Sequence, residues 1–221
     1  MNNINVFLSV GGTANQNQET FVCAIEDRLR SEGLIPNTVG RNKFSSDAPL
    51  VAVKELMNEC FGTIVIALER TFLSMGSEKR GGTKEAQLQN LKYPTPWNQI
   101  EAAIAYSKGL PLMLIVEEGI KTEGLLEKGN DWYVMYVKAE ASSLTTTEFN
   151  GVLSSWRKKV EEYQVNTTKS IEKKSPKLNA SELTIGELIN SLKPGQLWGL
   201  LATLATLIAG AFALGAKLFN H

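Results

Sequence analysis

Histidine is almost absent: the chain has one, and it is the last residue, His221. A folded domain upstream of it therefore has no Ser–His or Cys–His nucleophile pair and no histidine-ligated metal site. Any chemistry there falls to carboxylates, hydroxyls, lysine, arginine or the backbone. Cysteine is nearly as scarce. Cys23 and Cys60 lie in apolar, patterned stretches without metal-ligand spacing, and read as buried free thiols of a reducing compartment. No metal is expected. Excess charge is missing too, because 23 Lys+Arg balance 23 Asp+Glu. No global field draws nucleic acid, and none is expected as a partner. The opening MNNINVFLSV lacks the basic region and long apolar run of a signal peptide. The N-terminal domain is thus expected in the cytoplasm.

Charge is also absent from one long stretch near the end. Residues 197–216 read LWGLLATLATLIAGAFALGA, without an ionisable group. That matches the roughly 20 apolar residues a helix needs to cross a bilayer. Lys169, Lys173, Lys174, Lys177 and Lys193 precede the run and only Lys217 follows it. This bias orients a single-pass helix over 196–219 in the inner (cytoplasmic) membrane, with the N-terminal domain inside. Ala202, Thr206 and Gly210 recur every four residues, the spacing that lets helices associate in lipid. A long buried helix, or a generic Ala-rich anchor, gives the same composition.

The first 164 residues alternate apolar runs with helical patterns. Ile4–Val10 is a β-branched and aromatic run stopped by Gly11-Gly12, and reads as a buried strand. Residues 18–32 carry Phe21, Val22, Ile25 and Leu29 at helical spacing before Gly33. A short strand is expected over 34–39. A helix follows over 48–60, with Asp47 as its N-cap and Pro49 in its first turn. Residues 63–68 (TIVIAL) are a further strand. A long polar stretch, 69–93, comes next. Thr95-Pro96 then opens a helix that runs to Lys108. Strands over 112–116 and 132–137 and a helix over 147–163 complete the pattern. Alternation of this kind gives βαβ units, hence a flavodoxin-like, doubly wound five-stranded parallel sheet. Ligands of such sheets bind beyond the carboxyl ends of the strands. Residues 165–183 read as a polar, lysine-rich tether. A capping box at Thr184–Glu187 opens a short helix over 184–195, either a surface-lying amphipathic helix or a plain linker.

One constellation stands out. Trp97 and Glu101 are four residues apart and share a helix face. A carboxylate beside an indole can be partly desolvated, which raises its pKa or focuses its field on a cation. The plainer alternative puts Trp97, Ile100 and Ile104 in the core and leaves Glu101 solvated. Periodicity alone favours the plainer alternative.

With these residues in view, the chain resembles a Toll/interleukin-1 receptor (TIR) domain over about residues 4–137. Phe7-Leu8-Ser9-Val10 is similar to that family's first-strand box. Val65-Ile66-Ala67-Leu68 followed by Phe72-Leu73-Ser74 is similar to its third strand and serine-bearing loop. Trp97-x-x-x-Glu101, with Ala105 and Gly109, looks like its Trp-x-x-x-Glu helix. The related nucleoside 2-deoxyribosyltransferases carry a similar helix pattern. The resemblance implies that Glu101 is catalytic for cleaving the nicotinamide–ribose bond of NAD. NAD would be substrate, with no cofactor. It further implies Trp97 behind the carboxylate, Gly11, Gly12 and Thr13 where backbone approaches the ligand, and Ser9 and Ser74 as ribose or phosphate contacts. The family also implies self-association and a role in antiphage defence. Two departures stand out: Val10 replaces a frequent aromatic residue, and the 69–93 stretch is longer than usual. Arg80-Gly81-Gly82-Thr83 within it reads as a phosphate clamp or an exposed loop. A domain that binds a nucleotide signal without turnover, coupled to a membrane-perturbing anchor, is the alternative function.

Overall fold

The computed structural model describes residues 3–174, together with residues 195, 198, 199, 202, 203 and 206. Two compact units are present, 1–170 and 171–221. In the first, five strands form one parallel sheet: β1 (Ile4–Val10), β2 (Leu34–Asn37), β3 (Thr63–Ala67), β6 (Leu112–Glu117) and β7 (Tyr133–Val137), in the order β2-β1-β3-β6-β7. Two further strands, β4 (Thr71–Glu78) and β5 (Ala86–Tyr93), form a separate antiparallel hairpin. The helices are α1 (Gln16–Ser31), α2 (Pro49–Asn58), α3 (Pro96–Ser107) and α4 (Thr147–Lys174).

Side chains alternate across the sheet and so build two cores. Val6, Leu8, Ile64, Ile66, Met113 and Ile115 face α1 and α4, meeting Phe21, Ile25, Phe149 and Trp156. On the opposite face Phe7 packs on Val53, Met57 and Ala105 of α2 and α3, while Val65 and Leu114 pack on Ala102. The period of two thus places Ser9, next to Leu8 and in phase with Phe7, beneath α3. Strand order reverses between β1 and β3, which makes their carboxyl ends the switch point of the sheet. α1 starts at Asn15, whose side chain accepts from Gln18 N, and ends at Gly33, whose φ of +78° suits a residue without Cβ.

Several expectations change. The 69–93 stretch is a β-hairpin rather than irregular chain, with Phe72 opposite Lys92 and Leu73 opposite Leu91. Its polar composition hid a two-stranded ribbon whose turn, Lys79–Glu85, carries Gly81 and Gly82. The α2 N-cap is Ala48, with no side-chain cap, because the Asp47 carboxylate accepts from Ser45 Oγ instead. The last helix continues past 163 to Lys174.

The transmembrane helix in the expected fold class is also corrected. Among the described residues no helix is long and apolar enough to cross a membrane. α4 has the length, but Arg157, Lys158, Lys159, Glu161 and Glu162 on successive turns make it unfit for hydrocarbon. The single-pass inner-membrane localisation falls with that helix. Of the residues expected to pack within it, Ala202 and Thr206 are helical, and the Thr206 hydroxyl donates to the Ala202 carbonyl at 3.1 Å. Gly210, most of 197–216 and nearly all of the 184–195 helix lie outside the described residues.

Candidate active site at the sheet switch point

A cavity of about 340 Å³ opens at the carboxyl ends of β1 and β3. Gly11 and Gly12 from the turn after β1, Arg70 from the segment after β3, and Thr95, Trp97 and Glu101 from the start of α3 line it. α2 closes another side through Pro49 and Val53. The size falls within the range of small-ligand sites, and the position is the one this sheet topology favours.

α3 is held by its own N-terminus. The Thr95 hydroxyl caps Trp97 N, and Pro96 supplies the fixed φ of the first helical residue. A Cβ on Gly11 would lie 2.9 Å from Thr95 Cγ2, so only glycine lets this turn approach the helix start so closely. The helix then turns Asn98, Glu101, Ala102 and Ala105 inward, while Trp97 and Ile100 are 38% and 40% exposed. This reverses the plainer reading of the sequence. The carboxylate is buried, and two of the three large apolar residues expected in the core stand at the surface.

Glu101 is 9% exposed, and burial pushes its carboxyl up to about 7, against a smaller opposing pull from a hydrogen bond with Ser9. Ser9 is fully buried, and its hydroxyl oxygen accepts from Asn98 Nδ2 at 3.0 Å. As acceptor in that bond the Ser9 hydroxyl keeps its own proton, which it offers to Glu101. Asn98 Nδ2 also donates to the Ile66 carbonyl at 3.3 Å, whereas Asn98 Oδ1 is buried with no partner. Asn98, Ser9 and Glu101 thus form a short relay from the sheet to the cavity floor. Sequence reading did not single out Asn98. Its signal was available, since it lies three residues before Glu101 on the same face.

The other expected residues divide. Trp97, Gly11 and Gly12 line the cavity with Glu101. Ser9 lies one layer behind it. Thr13 turns away, donating to Glu19 Oε2 at 2.8 Å. Ser74 and Arg80 are exposed on the hairpin, and neither lines the cavity. The cation at the cavity is instead Arg70, passed over in the sequence as one of several charges in a polar stretch.

No family model matches the chain, and no curated protein does. Ten chains among the solved structures match it, including the following two. The CMP N-glycosidase BcmB of Clostridium botulinum is 17% identical, covers 63% of this chain and 92% of its own, and has a TM-score of 0.37. The metal-soaked flavodiiron core of Flv1 from Synechocystis sp. PCC6803 is 14% identical, covers 72% of this chain and 36% of its own, with a TM-score of 0.42.

Proposed function

We propose that this protein cleaves an N-glycosidic bond in a nicotinamide nucleotide, NAD in the first instance, at Glu101. The observation that carries the reading is a single buried carboxyl at the floor of the switch-point cavity, with no cation among the described residues paired to it. Glycoside hydrolysis ordinarily needs two carboxyl groups, one to protonate the leaving group and one to meet the developing cation at the sugar. Among the described residues lining this cavity, Glu101 is the one carboxyl. A leaving group that is already cationic removes the need for the acid. Nicotinamide in NAD is such a group: the C1′–N bond breaks, its electron pair goes to the ring nitrogen, and neutral nicotinamide departs.

The remaining demand is met by one anion. A carboxyl near 7 is about half ionised at neutral pH, and a cationic substrate in a partly desolvated pocket shifts it toward the ionised form. The carboxylate then faces the oxocarbenium-like ribose, either as an ion or by forming a covalent ester. Water adds its oxygen to C1′ and releases a proton, giving ADP-ribose. Trp97 forms an apolar wall at the cavity, which strengthens the interaction of carboxylate and cation by excluding water.

Nicotinamide release from NAD by the full chain, with Glu101→Gln in parallel, tests this. Turnover in the wild type that falls about a thousandfold in the variant supports it. Binding of NAD without any turnover would instead identify a nucleotide-binding module.

A further inference from the structure

We infer that Arg70, with the Gly11–Gly12 turn, forms a subsite for the 5′-phosphate of the nucleotide whose glycosidic bond lies at Glu101. The inference rests on the N-glycosidase reading for the identity of the ligand, and on separate geometry for its phosphate. Arg70 follows β3 at the foot of the hairpin. Its backbone N–H donates to the Tyr93 carbonyl at 2.9 Å, and the neighbouring Glu69 carbonyl accepts from Gln18 Nε2 at 3.0 Å. The main chain is therefore pinned on both sides. The guanidinium reaches across to the Gly12 carbonyl, Nη1 donating at 3.0 Å, which holds an exposed side chain at the cavity mouth.

That bond uses one of the five guanidinium N–H donors. No carboxylate among the described residues pairs with Arg70, because the acids nearby are engaged. Glu69 is bridged to Lys92 at 2.7 Å, and Glu117 Oε2 accepts from Glu69 N at 2.7 Å. A fixed cation with spare donors, at the mouth of a cavity whose floor is a carboxyl, calls for an anion there. A Cβ on Gly12 would lie 3.4 Å from Arg70 Nη1, so the guanidinium rests directly against this glycine. The N–H of Gly12, which lines the cavity, donates to no other group among the described residues, leaving a backbone donor at the same edge. Arg70 also lines a small adjoining pocket with Glu69, which is bridged to Lys92, and with Asn98, whose buried Oδ1 lacks a donor. The chemistry runs from an anion site at the mouth to a hydroxyl-accepting wall and a carboxylate floor. This is the polarity of a ribose 5′-phosphate with C1′ inward.

Nicotinamide mononucleotide and nicotinamide riboside share the scissile bond and the ring cation and differ only in that phosphate. The full-length protein is expected to show kcat/KM for the mononucleotide at least about thirtyfold above the riboside, a ratio that falls with ionic strength. Arg70→Gln should bring the ratio near one by raising KM for the mononucleotide alone, with Arg70→Lys between the two. Thermal melting of both variants should match the wild type, since the side chain is exposed. A ratio unchanged by Arg70→Gln overturns the subsite, as does a loss on NAD that spares the mononucleotide. Should neither compound turn over, calorimetric titration of both into the wild type separates the two ideas. Phosphate-dependent binding lost in Arg70→Gln then keeps the subsite and discards the N-glycosidase reading. Equal binding of both compounds discards the subsite.

Discussion

Glu19 and Glu101 are partly or fully withdrawn from water in the same domain, and the structure treats them in opposite ways. Glu19, at the start of α1, meets Arg41 at 2.6 Å and accepts from the Thr13 hydroxyl, and these bonds pull its carboxyl down to about 2. Arg41 is shared with the nearly buried Glu26, so one guanidinium satisfies two acids that tie α1 to the segment after β2. Glu101 has no paired cation among the described residues, sits deeper, and is pushed up to about 7 by desolvation. The first region holds its charges in the arrangement that folding alone would choose. The second keeps a carboxyl in a place that costs stability whenever it ionises. Together with the unpartnered Asn98 Oδ1, that is the arrangement the proposed substrate would complete.

The largest expected effect that sharpens this contrast comes from Glu101→Gln. Beyond the loss of turnover, the variant should be more stable than the wild type at alkaline pH. The folded pKa lies above the unfolded value near 4.5, so the native state holds its proton longer than the unfolded chain. Stability from this group is complete below about 4.5, declines as pH rises through 7, and then levels off. The difference amounts to roughly 3 kcal/mol at most. Denaturant melts at pH 4 and pH 8 check it. A variant less stable than wild type at pH 8 would show that Glu101 is a structural partner rather than a strained one.

Arg41→Met probes the other region and should have the opposite pH signature. It strands Glu19 without its cation and leaves Glu26 with Arg30 alone, at 3.2 Å. With both partners partly screened by solvent, the cost is about 2 kcal/mol at neutral pH, below that of a fully buried pair. The Glu19 pKa is depressed in the folded state, so its contribution is present above about 4.5 and is lost as pH falls toward 2. Wild type and variant should therefore converge in acid. A gap that persists at pH 2 would assign the loss to packing of the arginine stem instead.

Ser9→Ala is expected to act more mildly, through Glu101. Removing the hydroxyl takes away the group that pulls the carboxyl down, so its pKa rises further. The rate that requires ionised Glu101 should then fall about fivefold at pH 7 and recover by pH 9. The ascending limb of the pH–rate profile reads this directly. A uniform loss across pH would make Ser9 a packing residue only.

The contrast also shows what was legible in the sequence. Long β-branched runs at 4–10 and 63–67 declared the parallel sheet, because a strand buried on both faces tolerates little else. Trp97 and Glu101 were legible as a pair, but which of them faces inward was not. α3 is apolar around much of its surface, with Ile100 and Ile104 competing with Ala102 and Ala105, and small residues win where the helix lies close on β1 and β3. The hairpin was hidden because its two strands pair along their length with each other, apart from one bridge of Lys92 to Ile120, and mix polar with apolar side chains. Arg70 was hidden with it, since only the pairing of Arg70 N with the Tyr93 carbonyl, 23 residues along the chain, brings that guanidinium to Gly12. The uncharged run at 197–216 was read by composition alone, and no described helix bears it out as a membrane span.

The smallest expected effect is none at all. Arg80 and Ser74 carry the sequence features of a phosphate clamp and a serine-bearing loop, yet the hairpin carries both away from the lining of the cavity. Arg80 sits in the turn beside Gly81, whose backbone N–H donates to Glu85, and that closes the turn on itself rather than around a ligand. Arg80→Ala and Ser74→Ala should each leave kcat/KM for NAD within about twofold of wild type, the ordinary range for exposed substitutions away from a site. The comparison that matters is with Arg70, the other arginine of the same inserted segment. If Arg80→Ala lowered turnover as much as Arg70→Gln, the hairpin would have to fold over the cavity during the reaction. The cation that meets the phosphate would then be set by that motion instead of by the fixed bond to Gly12.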